Sequence, residues 1–255
     1  MSLKENIIKK KNQFYNYITD PKVVRRCIIA AEIFFPAMII MGVLVAVFLG
    51  PGNYNMMENY ISDMGSHRYT PIPKFLDDGA MVTAILLVPV CFYLKRMFDL
   101  KSNQLESINV SSKYSSLVLV TFLIGLIGFF GIGFFSEDVA ISLYPHTTSA
   151  YDLHEILTVV QFIGIAGAGL LIGIIFVRFP QGIIDIIGYE KISNLFPIIM
   201  GLMMIFLTPI LCTFFLLEFP PSIPFWEWML FFSIFGWILP LGVMVLHQIK
   251  SEEVK

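Results

Sequence analysis

Residues 154–177 read HEILTVVQFIGIAGAGLLIGIIFV. After Glu155 the stretch carries no charge, and Gln161 is its only amide. At 1.5 Å of rise per residue, about 20 helical residues cross a hydrocarbon core of roughly 30 Å. The stretch is therefore read as a membrane-spanning helix, and five more runs like it flank it. In chain order the expected spans are 28–49, 75–93, 114–135, 154–177, 192–217 and 225–246. A barrel strand would instead show about ten residues of alternating polarity. Composition agrees: 56% of the 255 residues are hydrophobic, 14% are charged, and the mean hydropathy is +0.76. Soluble domains sit nearer 45–50% apolar and about 25% charged. The fold class expected is all-α, a polytopic bundle of six transmembrane helices. Residues 1–26 form a basic tail, 27–249 a single membrane domain, and 250–255 a short second tail.

Charge sets the expected orientation. The first tail holds Lys4, Lys9, Lys10, Lys11, Lys22, Arg25 and Arg26. Lys95, Arg96, Lys101 and Lys113 follow span 2, Arg178 and Lys191 follow span 4, and Lys250 and Lys255 close the chain. With six spans these segments share one side and hold 15 of the 17 basic residues; only Arg68 and Lys74 fall opposite. The positive-inside rule places both termini in the cytoplasm. The outer side carries Glu58, Asp63, Asp77, Asp78, Glu137, Asp138, Asp152, Glu155, Glu218 and Glu227, an acidic face that attracts cations. The polar first 26 residues and the length of the first run argue against a cleavable signal peptide. Cys27, Cys91 and Cys212 fall in or beside spans, spaced for neither disulfides nor zinc.

Small residues fix the expected packing. Gly125, Gly128, Gly131 and Gly133 mark span 3, and Gly164, Gly167, Gly169 and Gly173 mark span 4. Such residues let helix backbones approach closely in lipid, so spans 3 and 4 belong at the tight centre of the bundle. A homodimer seam through them is the alternative. Pro36, Pro89, Pro197, Pro209 and Pro240 should kink their spans. Tyr54, Tyr60, Tyr69, Tyr144, Tyr151, Trp226 and Trp228 read as an aromatic belt at the outer interface. In the tail, Ile7, Ile8, Phe14, Tyr15 and Ile18 recur at helical spacing among lysines, which suits a helix lying on an anionic leaflet.

The densest polar stretch is Glu58-Asn59-Tyr60-Ile61-Ser62-Asp63-Met64-Gly65-Ser66-His67, between spans 1 and 2. Met57, Ile61 and Met64 predict a short interfacial helix there, with Asn59, Ser62 and Asp63 turned inward. On one helical turn Asp63 and His67 would share a face. With His146, and with His154-Glu155 opening span 4 and Asp77-Asp78 opening span 2, these are the candidates for acid–base or metal chemistry. If their ends adjoin, they would suit a divalent ion with one open position. The competing reading is structural. Asp152-Leu153-His154-Glu155 resembles a capping box, and Asp77 and Asp78 favour a helix N-terminus. Neither H-x-x-x-H nor H-E-x-x-H occurs. Glu32, inside span 1, is an intramembrane acid and so a functional candidate, or the partner of Arg25, Arg26, Arg96 or Arg178. The basic residues follow a topogenic pattern, and nucleic acid is not an expected partner.

Asn59-Tyr60-Ile61-Ser62-Asp63-Met64-Gly65, followed by Pro71, Pro73 and Phe75, resembles the signature P-Y-I-S-D-x-G…P…F of DRAM-type proteins. These are six-span relatives of damage-regulated autophagy modulators and of a GPI-anchor lipid-remodelling factor. Gly133-Phe134-Phe135-Ser136-Glu137 and the histidines that follow are also similar. Asn59 stands where that family often has proline, which resembles equally a prokaryotic six-span group with an N-x-I-S-D-x-G loop. The resemblance implies an integral membrane protein linked to lipid handling, and carries over no catalytic residue. The reading that follows is a polar site at the outer ends of spans 2–4 framing a lipid or small-ligand pocket, with membrane lipid as the partner. A metal-dependent, membrane-embedded lipid hydrolase or transferase is the alternative, and a small cation carrier or channel a third.

Overall fold

The computed structural model describes residues 3–104, 107–136, 138–139, 149–188 and 193–253. Among them the regular structure is entirely helical. A basic helix, Leu3–Ile18, precedes span 1, Pro21–Leu49. Spans 2, 3 and 4 are Lys74–Gln104, Ser112–Phe134 and Ser149–Arg178. A short helix, Pro180–Ile187, leads to span 5, which is Leu195–Leu202, a π turn at Met203–Leu207, and Thr208–Leu216. Span 6 is Ile223–Glu253. All six are long and apolar enough to cross a membrane.

Most helices outrun the apolar segments that announced them, and at the starts of spans 1 and 3 side-chain caps set the ends. The Asp20 carboxylate, eight residues before the expected start of span 1, accepts the Lys22 N–H at 2.8 Å. Ser111 likewise accepts from the Tyr114 N–H at 3.2 Å and opens span 3. One expectation fails here. Span 4 is already helical at Ser149, so Asp152 stands inside the helix rather than capping it. Pro36, Pro89 and Pro240 lie within continuous helices, whereas Pro209 follows the π turn. A wider turn accommodates a residue that lacks an N–H and crowds the carbonyl four residues back.

Spans 3 and 4 form the tight centre, as their glycines require. A Cβ on Gly125 would stand 2.7 Å from the Ile165 nitrogen, and one on Gly128 2.4 Å from that of Gln161. A Cβ on Gly164 would fall 2.3 Å from the Gly125 nitrogen. Gly133 meets the Asp77 carbonyl of span 2, Gly169 the Trp237 ring of span 6, and Gly173 the Gly201 carbonyl of span 5. The glycine faces are thus occupied within the chain. Spans 1 and 6 close the ring with sparing contact. Glu137, Tyr144 and His146, together with the side chains of Tyr151 and Asp152, lie outside the described residues.

The expected belt is corrected in two places. Trp228 and Tyr54 are buried, because each bonds inward to the loop before span 2. Trp226 does sit at the rim, donating to the Phe219 carbonyl at 2.7 Å and packing on Phe214.

Candidate functional site

The expected interfacial helix contracts to one 3-10 turn, Ser62–Gly65. Local hydrogen bonds explain why. The Asp63 carboxylate accepts the Tyr60 N–H at 3.0 Å and the Asn59 side-chain amide at 3.2 Å. The Asn59 oxygen accepts the Asn55 N–H at 3.0 Å, and the Tyr54 hydroxyl donates to the Tyr60 carbonyl at 2.7 Å. An aspartate that draws backbone donors to itself favours turn over helix. Met64 below is wholly buried, and a Cβ on Gly65 would collide with the Asp77 carboxylate at 2.6 Å.

This turn separates Asp63 from His67. Asp63 is buried, whereas the His67 side chain is 70% exposed; the His67 backbone N–H donates to Asp138 at 2.8 Å, and the ring lies 3.9 Å from the same carboxylate. The Ser66 hydroxyl also donates to Asp138, at 3.0 Å. Burial pushes the Asp63 carboxyl above its usual range, opposed by the Asn59 and Tyr60 hydrogen bonds and by Arg68. Burial, with Glu227 and Asp63 nearby, likewise raises the Tyr54 phenol.

The loop was expected to lie on spans 2–4. It does meet the start of span 2 and Asp138 beyond span 3, and it has further long-range anchors, which were not expected, on span 6 and the segment before it. The Glu227 carboxylate accepts the Ile61 N–H at 2.6 Å, Trp228 donates to the Asn59 carbonyl at 3.2 Å, and Ser222 donates to the Met57 carbonyl at 2.6 Å. A lone acid between Trp226 and Trp228 was the available signal for this contact. Its partner, 166 residues away, was not legible.

Beneath the loop a cavity enters the bundle. Its empty volume, open mouth included, is about 1000 Å³. Ile61, Ser62, Asp77, His154 and Glu227 line the loop end. Phe35, Phe129, Phe162, Phe231 and Phe235 supply much of the wall, and Thr83, Gln161 and Glu32 lie deeper. Beyond them Ile28, Leu94, Phe98, Ile172 and Leu241 are buried and apolar.

His154 is fixed by its Nδ1, 2.8 Å from the Phe135 carbonyl. A carbonyl only accepts, so Nδ1 carries the hydrogen and, in the neutral ring, Nε2 presents a lone pair. That Nε2 is buried with no hydrogen-bond partner, and so are Glu32 Oε1, Thr83 Oγ1 and Gln161 Oε1. Together with Trp237 Nε1 these are the unpartnered buried side-chain atoms among the described residues, and all but the indole belong to cavity-lining residues. Buried polar groups without partners are rare and costly, at about 1–3 kcal/mol each.

The remaining candidates scatter. Asp78 and Glu155 are exposed beside their helix starts. Glu32 meets none of the expected arginines: Arg25 faces Glu253 at 3.8 Å, Arg26 is exposed, Arg96 donates to Thr19 at 2.9 Å, and Arg178 lies over the Phe179 ring. Its carboxyl instead occupies the notch left by Gly242, where a Cβ would lie on top of it. Among the described residues no three His, Cys, Asp or Glu side chains gather to hold a metal ion.

Six apolar helices around a loop-capped cavity define a multi-pass integral membrane protein. The chain belongs to DUF998, a family described as a protein of unknown function, which matches residues 33–244. No curated protein and no solved structure matches it. The matched segment contains every cavity-lining residue except Ala31 and Glu32, which immediately precede it.

Proposed function

We propose that this chain binds a lipid-class amphiphile inside its helix bundle. One observation carries the reading: a phenylalanine-walled cavity within the membrane domain, lined in part by residues with unpartnered polar atoms. Concave, mostly apolar sites with a few convergent polar groups are the usual form of a small-molecule pocket. The ligand's apolar part packs on Phe35, Phe129, Phe162, Phe231 and Phe235, and its polar atoms meet the side chains that lack partners. Sparing contact between spans 1 and 6 supports entry from the bilayer between them. The apolar residues past Glu32 favour a blind pocket over a conduit. The likeness of Asn59–Gly65 to DRAM-type proteins, with their link to lipid handling, points the same way.

Mass spectrometry of the protein released from native membrane tests this. The wild type should retain an amphiphile, and Thr158→Trp and Ile238→Trp, which place bulk into the cavity, should lose it while their thermal unfolding stays close to wild type. Retention of the same ligand by both folded variants, or none by the wild type, overturns the reading.

A further inference from the structure

Register brings the residues that bear three of the unpartnered groups within about one turn of each other in depth. Gly79 of span 2 faces Phe35 and Met38 of span 1, and Gly42 of span 1 faces Phe75, so antiparallel pairing sets Thr83 level with Phe34, within one turn of Glu32. Gly133 of span 3 meets Asp77 and Met81, and Gly128 meets Gln161, which carries that level across to span 4. Glu32, Thr83 and Gln161 therefore form a staggered polar rung at the deep end of the cavity, with Glu32 lowest and its Oε1 turned to Gly242 of span 6. His154 stands seven residues above Gln161, about 10 Å nearer the loop.

The chemistry of the rung is one-sided. Glu32 Oε1 and Gln161 Oε1 are acceptor oxygens, and the Thr83 hydroxyl both donates and accepts. His154 Nε2 adds another acceptor in the neutral ring. Among the described residues, those lining the cavity include the carboxyl groups of Glu32, Asp77 and Glu227 but neither lysine nor arginine. A phosphate or carboxylate headgroup would meet acceptors and acids with no cation to pair with, at a desolvation cost that nothing offsets. A primary ammonium offers three donors and the complementary charge.

We infer that the rung of Glu32, Thr83 and Gln161 binds the amine of a long-chain primary ammonium amphiphile. The inference rests on the amphiphile-binding reading above and adds the headgroup to it. The ammonium donates to the Glu32 carboxylate, the Gln161 carbonyl and the Thr83 hydroxyl, and its chain lies along the phenylalanine wall. No covalent step is involved.

Three probes of equal chain length separate the possibilities: dodecylamine, dodecanol and dodecanoate, titrated into the full-length protein in neutral-lipid nanodiscs, with binding read by native mass spectrometry. Dodecylamine should bind tightest and dodecanoate weakest. Glu32→Gln keeps the shape and removes the charge, and it should weaken dodecylamine about tenfold or more while moving dodecanol little. Thr83→Val should weaken dodecylamine more modestly, which provides a second reading if Glu32→Gln folds poorly. Equal binding of all three probes, unchanged in Glu32→Gln and Thr83→Val, overturns the headgroup assignment and leaves the pocket standing. Equal affinity for dodecanol and dodecylamine, with dodecanoate excluded, also overturns the ammonium and leaves a neutral donor. Failure of every probe to compete with Ile238→Trp-sensitive ligand overturns the pocket itself.

Discussion

Asp63 shows how a side chain that looks catalytic becomes structural once its partners are known. Its carboxylate holds the Tyr60 N–H and the Asn59 amide in place, and that turn presents Ile61 to Glu227. Asp63→Ala would strand both donors in a buried setting, and a loss of about 2 kcal/mol of folded stability is expected. Asp63→Asn keeps an acceptor oxygen and should lose less. The pH dependence has a definite sign. Burial raises the folded-state value of Asp63, so its contribution to stability is fully present below the unfolded value, about 4, and is lost as pH rises through the raised folded one. Asparagine does not titrate. The thermal midpoint of Asp63→Asn should therefore gain on wild type as pH is raised through that window, and a difference flat in pH would contradict the assignment.

At the scale of the helices, local composition was enough for the spans and too little for their neighbours. Length and continuity of the apolar runs identify six crossings, and glycine spacing identifies the pair packed most closely. What hydropathy does not encode is where polar caps extend a helix, as Asp20 does for span 1 and Ser111 for span 3. The site was legible only in part. The segment from Asn59 to Ser66 stood out by its polarity, and Glu32 by its depth in an apolar run. Thr83 and Gln161 are ordinary polar residues in a membrane helix, and only the register of four helices brings them within about a turn of Glu32 in depth. The Asp63–His67 pairing failed because it assumed an α-helical turn where side-chain acceptors produce a 3-10 turn. The helix seam itself is open to test. Gly128→Ala would place a Cβ 2.4 Å from the Gln161 nitrogen, and a backbone atom cannot rotate aside. Span 3 must then withdraw from span 4, at an expected cost of about 1–3 kcal/mol, read as a lower denaturation midpoint in detergent. Gly52→Ala, with open space around it, should be near neutral.

Across the whole molecule, charge and chemistry divide between two ends. The loop end carries Glu58, Asp63, Asp77, Asp138 and Glu227, and the opposite end carries the basic helix and the arginines that flank the spans. Residues Ile7, Ile8, Phe14 and Tyr17 of that helix are exposed, leaving an apolar surface among lysines that suits contact with an anionic leaflet. By sequence, 15 of the 17 basic residues belong to the segments expected on that side, so the expectation is that both termini face the cytoplasm and that the mouth of the cavity is at the outer leaflet. Single cysteines decide it. Asn53, Lys11 and Lys250 are exposed, the first at the loop end and the others at the opposite end. Cys27 is half-buried and Cys91 and Cys212 are buried, so they should add little background with a membrane-impermeant maleimide. In intact cells Asn53→Cys should label, whereas Lys11→Cys and Lys250→Cys should label only after the membrane is opened. The reverse pattern would turn the molecule over, exposing the cavity mouth to the cytoplasm and requiring its ligand to come from the inner leaflet.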